Sequence, residues 1–234
     1  MDTPKHLLND RYDDRYFDVV NAIQEAKQLH IEGACVIDRL AAAAAAGGKF
    51  RIGETGFGAG RLLVALMDSL EAGGVAGAEV DYCSVELYPV SIEKMRLLLG
   101  GLDCRPRHIE NLTDAYSRID TSVPGWHRAV LSGDFGVINL RLFIGEALDM
   151  AVTLDDYCDA WFLDGHAPSK NPEMWRAELL SAIGAKSAAG ATVTTFTAAG
   201  YVRRNLIAAG FCVQRVPGYG GKKEALKGVF LGNS

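Results

Sequence analysis

From residue 49 onward, short apolar or β-branched runs alternate with amphipathic stretches, and glycine punctuates many of the junctions. Residues 49–53, 81–86, 137–144, 160–164, 191–197, 211–216 and 228–231 read as seven strands. Helical patterns fall between most of them. Residues 59–71 put Leu62, Leu63, Leu66 and Leu70 on one face, and a second helix ends near Leu99. A third spans 172–187, with Asn171 as N-cap and Pro172 in its first position, and a fourth spans 198–209, stopped by Gly210. Alternation of this kind requires a parallel sheet with helices on both faces. No helix fits between the last two strands, so they are expected to form a hairpin that inserts one antiparallel strand. The expected fold is α/β, a Rossmann-like, mostly parallel seven-stranded sheet with a C-terminal antiparallel hairpin strand.

Size agrees with one such domain. The chain has 234 residues, 49% of them hydrophobic, enough for one well-packed core. Residues 49–234 are assigned to that domain. Residues 1–48 are read as an N-terminal extension packed on it, with a helix over 34–46 that ends in an alanine run before Gly47-Gly48. Five cysteines, none in a CxxC pair, suit a reduced cytoplasmic protein better than a disulfide scaffold or a metal site. The first residues lack a basic-then-apolar leader pattern, and no run approaches the ~20 apolar residues of a membrane span. The net charge of −5 hides an asymmetry. Residues 1–164 carry 15 Lys+Arg against 26 Asp+Glu, and residues 165–234 carry 9 against 3. A basic C-terminal part can be a polyanion face or an ordinary solvated surface.

The first strand runs into Gly53-Glu-Thr-Gly-Phe-Gly-Ala-Gly60 and then a helix. Gly53, Thr55, Gly56, Gly58 and Gly60 let the backbone turn sharply beside a ligand. Glu54 sits badly beside a pyrophosphate and well beside a cation, which disfavours a nicotinamide dinucleotide. The sulfonium and ammonium of S-adenosyl-L-methionine fit the acid. Glu86 ends the second strand, where a carboxylate accepts from ribose hydroxyls, and Gly145-Glu146 follow the third, where an acid can accept from an adenine amino group.

The segment Asp159-Ala-Trp-Phe-Leu-Asp-Gly-His-Ala-Pro-Ser-Lys-Asn-Pro-Glu-Met-Trp175 sets Asp164 at the end of the fourth strand. Together with Arg11-Tyr-Asp-Asp-Arg-Tyr-Phe17, Ile52-Gly-Glu-Thr-Gly-Phe-Gly58, Gly125-Trp-His-Arg128, Thr195-Phe-Thr-Ala-Ala-Gly-Tyr-Val-Arg-Arg204 and Gly218-Tyr-Gly-Gly-Lys-Lys-Glu224, it resembles the methyltransferase component of the MnmC type, the bifunctional makers of 5-methylaminomethyl-2-thiouridine in tRNA. His166 stands where that family usually has Phe, and Glu146 where it usually has Asp. The resemblance implies a stand-alone class I methyltransferase. It would move a methyl from S-adenosyl-L-methionine to the amine of 5-aminomethyl-2-thiouridine at the tRNA wobble position. Any flavin-dependent oxidase is left to a separate partner.

Asp164 is the catalytic candidate, as a group that orients the amine; a free Asp is a weak base for an alkyl ammonium. Burial would raise its pKa and improve it as a base. His166 and Pro168 are candidates for lining the base pocket, and Arg203, Arg204, Lys222 and Lys223 for phosphate contacts. No His or Cys spacing supports a metal. The competing readings are a class I methyltransferase for a small-molecule or protein amine, and a non-catalytic cofactor-binding subunit of an RNA-modification complex.

Overall fold

The computed structural model describes residues 8–9, 11–17, 21–75, 77–220 and 224–232. In chain order its strands are β1 (Leu8–Asn9), β2 (Asp14–Arg15), β3 (Phe50–Glu54), β4 (Glu79–Glu86), β5 (Gly125–Gly133), β6 (Gly136–Ile144), β7 (Cys158–Leu163), β8 (Ser187–Thr195), β9 (Phe211–Pro217) and β10 (Glu224–Phe230). Its α-helices are α1 (Ala22–Ala26), α2 (Val36–Ala45), α3 (Arg61–Ala72), α4 (Ile92–Leu99), α5 (Pro106–Tyr116), α6 (Ala147–Thr153), α7 (Ala177–Ala185) and α8 (Gly200–Ala208).

Strands β3 to β10 form one sheet in the order β5-β6-β4-β3-β7-β8-β10-β9. The run β6-β4-β3-β7-β8 is parallel. Strand β10 inserts between β8 and β9, antiparallel to both, as the final hairpin implied. All seven expected strands are present with shifted ends, and β5 is an eighth. It pairs antiparallel with β6 across the Asp134-Phe135 turn. Its side chains are mostly half-buried or exposed, with Val130 59% exposed, so it shows little of the apolar signature of the central strands.

The central strands are apolar on both faces because helices cover both. Ile52, Tyr82 and Phe162 pack into one cluster with α2, α3, α4 and α5. Cys83, Val85, Trp161 and Leu163 pack into the other with α6, α7 and α8. The N-terminal helices join the first cluster through Ala22, Ile23, Val36 and Leu40. His30, in a π-helical turn after α1, pairs its Nδ1 with the Thr194 hydroxyl of β8 at 2.9 Å. Arg39 donates to the Asp159 carbonyl and the Thr192 hydroxyl.

Two local expectations fail. Residues 172–187 are not one helix: Pro172–Trp175 is a single 3₁₀ turn, Arg176 is extended, and α7 begins at Ala177. Asn171 makes no side-chain cap. The buried Trp175 explains the break, since its indole Nε1 donates to the His166 carbonyl at 3.0 Å and folds the turn back on the Asp164 loop. Ser187, read as the end of that helix, instead begins β8.

The chain leaves β3 for β4 and β6 on one side and returns to β7 and β8 on the other. That reversal opens a crevice at the carboxyl ends of β3, β4 and β7, where sheets of this kind bind ligands.

Candidate active site

Two cavities meet at this crevice. The first, about 310 Å³, is lined by the glycine loop, by Glu86 and Tyr88 after β4, by Gly145 and Glu146 after β6, and by Asp164, Gly165 and His166 after β7. The second, about 380 Å³, is lined on its far side by Asp14, Glu25, Phe196 and Tyr219. Asp164, Gly165, Arg61, Tyr16 and Phe17 line both.

The loop is built from the sheet outward. Gly60 takes φ +81°, a conformation that admits a non-glycine residue only with strain, and turns the chain into α3. The Phe57 N–H donates to the Val85 carbonyl at 2.9 Å, and the Gly58 N–H donates to Glu86 Oε2 at 2.8 Å. Glu86 Oε1 accepts from the Tyr88 N–H, also at 2.8 Å. Glu86 therefore clamps the loops after β3 and β4. Burial pushes its pKa up, against the pull of these backbone donors.

Glu54 is 1% exposed. Its Oε2 accepts from the Ser84 hydroxyl at 2.6 Å, and the buried Tyr82 hydroxyl lies against the same carboxylate. Burial pushes its pKa up to about 8. A buried carboxylate in a cavity that also holds Glu86, Glu146, Glu173 and Asp164 is complementary to a cation.

Asp164 is held from two sides. Its Oδ1 accepts from the Gly165 N–H at 2.9 Å, and its Oδ2 accepts from Arg61 Nη2 at 2.7 Å. The buried Arg61 also donates through Nη1 to the Ala22 carbonyl at 3.0 Å and to Glu25 Oε2 at 3.3 Å. Burial by itself would push the Asp164 carboxyl up, but the Arg61 guanidinium overrides it and holds the group below the usual carboxylate range. The improved base expected from burial is thus corrected: Asp164 is an ionised acceptor.

The N-terminal hairpin and the residues after it line one side of the first cavity. Tyr12 packs on His166 with ring centres 4.4 Å apart and planes tilted by 34°, and Asn9 Nδ2 lies 3.0 Å from His166 Nε2. Asp14 accepts from the Ala167 N–H at 3.0 Å, and the Arg11 guanidinium lies 3.7 Å above the Tyr88 ring. Burial pushes the His166 pKa down, despite Asp14 and Asp164 nearby.

Glu54, Gly56, Gly58, Glu86, Gly145, Glu146, Asp164 and His166 converge on the first cavity. Gly53, Thr55, Gly60 and Pro168 do not line either cavity. A Cβ on Gly53 would lie 2.3 Å from the Trp161 ring, so this glycine serves packing on the opposite face. Thr55 ties the loop to β7, its hydroxyl donating to the Asp164 carbonyl at 3.2 Å. Pro168 accepts from the Tyr201 hydroxyl at 3.4 Å. Arg203 and Arg204 are the fourth and fifth residues of α8, outside both cavities. Lys222 and Lys223 lie outside the described residues. Arg61, Glu25, Asn9, Tyr12, Tyr16, Phe196 and Tyr219 were missed as site residues. Most lie within the segments that carry the family resemblance, but nothing local marks Arg61 or Glu25.

A family model described as S-adenosyl-L-methionine-dependent methyltransferase matches residues 108–230, more than half of the chain. The chain belongs to this methyltransferase family. Among curated relatives, the tRNA 5-methylaminomethyl-2-thiouridine biosynthesis bifunctional protein MnmC of Pseudomonas fluorescens (strain Pf0-1) is 42% identical over 94% of this chain and 33% of its own. The protein of the same name from Chromobacterium violaceum is 37% identical over 93% of this chain and 32% of its own. The methyltransferase thus spans about a third of the length of these relatives. The resemblance read from the sequence holds. A crystal structure of MNMC2 from Aquifex aeolicus superposes with a TM-score of 0.71 at 20% identity, covering 95% of this chain and 66% of that one. It shares the fold of this methyltransferase. No helix among the described residues is long and apolar enough to cross a membrane.

Proposed function

We propose that this methyltransferase methylates the primary amine of 5-aminomethyl-2-thiouridine at the wobble position of tRNA. One observation carries the reading: an ionised, doubly held Asp164 lies on the wall shared by an acid-lined cavity and a second cavity walled by Phe196 and Tyr219. The relatives' names carry the methylated product, 5-methylaminomethyl-2-thiouridine in tRNA, and the unmethylated amine is inferred as its precursor.

In this reading the first cavity takes S-adenosyl-L-methionine, which when bound supplies an electrophilic methyl on a sulfonium. Glu54 meets the ammonium of its aminoacyl end. Glu86 takes the ribose hydroxyls, Gly56, Gly58 and Gly145 line the ligand's path, and Glu146 takes the adenine amino group. The second cavity takes the splayed-out wobble base beside Phe196 and Tyr219; the expectation that His166 and Pro168 line this pocket is corrected, since His166 lines the first cavity and Pro168 neither. Asp164 accepts an N–H of the amine and so aligns the nitrogen lone pair; alignment alone can supply ~7–11 kcal/mol. The N–C bond forms as the S–C bond breaks, and the surplus proton leaves to water. Arg203 and Arg204, outside the cavities, contact tRNA phosphates, as do Lys222 and Lys223. A cytoplasmic tRNA substrate and a separate flavin-dependent oxidase complete the proposal.

The test is methyl transfer from labelled cofactor to tRNA bearing the aminomethyl group, read by nucleoside mass analysis. Methylation of that wobble nucleoside, absent with tRNA lacking the amine, supports the reading. Transfer only to small-molecule or protein amines moves the substrate elsewhere. Cofactor binding without turnover on any amine makes the chain a binding subunit.

A further inference from the structure

Arg61 is the first residue of α3, and its side chain is 9% exposed. A cation at a helix N-terminus opposes the helix dipole, so helix stability does not account for it. Its donors instead reach two elements far apart in sequence: Asp164 after β7, and Ala22 and Glu25 of α1. It lines both cavities where they meet.

We infer that Arg61 is a positioning residue for methyl transfer: bonded to Asp164 Oδ2 and anchored by Glu25, it fixes that carboxylate as an acceptor for the attacking amine. This rests on the amine-methylation reading above. An attacking amine needs its lone pair free. A carboxylate can only accept from its N–H groups, whereas a protonated carboxyl can donate to the lone pair and block it. Gly165 holds Oδ1 but carries no charge, so Arg61 is the cation bonded to the carboxylate. The other charged or titratable groups around Asp164 are His30 from the turn after α1, which also lowers its pKa, Glu54 from β3, Tyr82 from β4 and His166 on its own loop. Glu54 repels its charge, and His166 is discouraged from ionising by burial. Glu25 engages the same guanidinium nitrogen that binds the Ala22 carbonyl, so the orientation of the catalytic carboxylate depends on α1.

Arg61→Met, Arg61→Lys and Glu25→Gln test this. Arg61→Met is expected to lower kcat about tenfold or more while KM and S-adenosyl-L-methionine affinity stay within about threefold. The acid limb of its kcat profile should move up by about one pH unit or more. Arg61→Lys should recover most of the rate, and Glu25→Gln should give a smaller loss in the same direction. The Asp164 carboxyl carbon, assigned by its loss in Asp164→Asn, should titrate higher in Arg61→Met and return toward wild type in Arg61→Lys. That NMR titration needs no RNA, so it separates this inference from the choice of substrate. An inactive wild type with a shifted carboxyl would sink the amine reading alone. An unshifted carboxyl in both Arg61 variants, or a rate loss matched by lost cofactor affinity and not rescued by lysine, would overturn the positioning role.

Discussion

At the scale of single residues, charge and burial assign separate tasks to two carboxylates. Asp164 is ionised because a buried guanidinium faces it, and Glu54 resists ionisation because burial penalises its charge more than the Ser84 and Tyr82 hydroxyls offset. Asp164→Asn keeps the shape and removes the charge. It is expected to lower turnover at least about 100-fold while calorimetry finds cofactor affinity little changed; near-normal turnover would remove Asp164 from the reaction. Glu54 makes a pH prediction. Its folded pKa of about 8 lies above the ordinary carboxyl value, so the ligand-free fold binds an extra proton between the two. Its contribution to stability is therefore full below the unfolded value and lost as pH rises through about 8. Asp164 acts oppositely, its contribution being lost in acid below the unfolded carboxylate range. Thermal melts of the apo protein should fall between pH ~5 and ~8, and Glu54→Gln should flatten that slope. A cationic ligand favours the ionised Glu54, so cofactor binding in the same window should release protons, read as a dependence of binding heat on buffer ionisation enthalpy.

Among elements, the strand-loop-helix unit from β3 to α3 was legible because glycine, acid and apolar periodicity agree there. Its glycines nevertheless divide by task in a way the spacing does not reveal. Gly53 is packed against Trp161 of β7, and Gly60 turns the chain. Gly53→Ala must displace a buried indole and should cost ~1–3 kcal/mol, read as a lower melting temperature without a direct effect on the cavity. A variant as stable as wild type would contradict that packing. The β1–β2 hairpin was not legible as a structure. Strands of two residues carry no periodicity, and the hairpin is held by contacts to Ala167, His166 and Tyr88. The 3₁₀ turn after Asn171 was hidden in the same way, because Trp175 bends it toward the His166 carbonyl.

For the whole molecule, the charge asymmetry meets the sheet's polarity. Arg203 and Arg204 ride on α8, which leaves the carboxyl end of β8 beside the Asp164 loop. If they hold phosphates, tRNA affinity falls with salt, and Arg203→Glu with Arg204→Glu should raise KM for tRNA and flatten the log–log salt slope by about 0.7–0.9 per lost contact. Filter binding at several salt concentrations measures this; an unchanged slope assigns them to solvated surface.

The sequence alone determined the α/β alternation, the antiparallel insertion near the C-terminus, the acid-bearing glycine loop and the Asp164 strand end. These are short-range patterns, set by periodicity, backbone freedom and turn chemistry. Only the tertiary structure decided what Asp164 faces. Arg61 lies 103 positions away and Glu25 lies 36 from Arg61. A carboxyl pKa depends on charges brought within a few ångströms by packing, which no local pattern encodes.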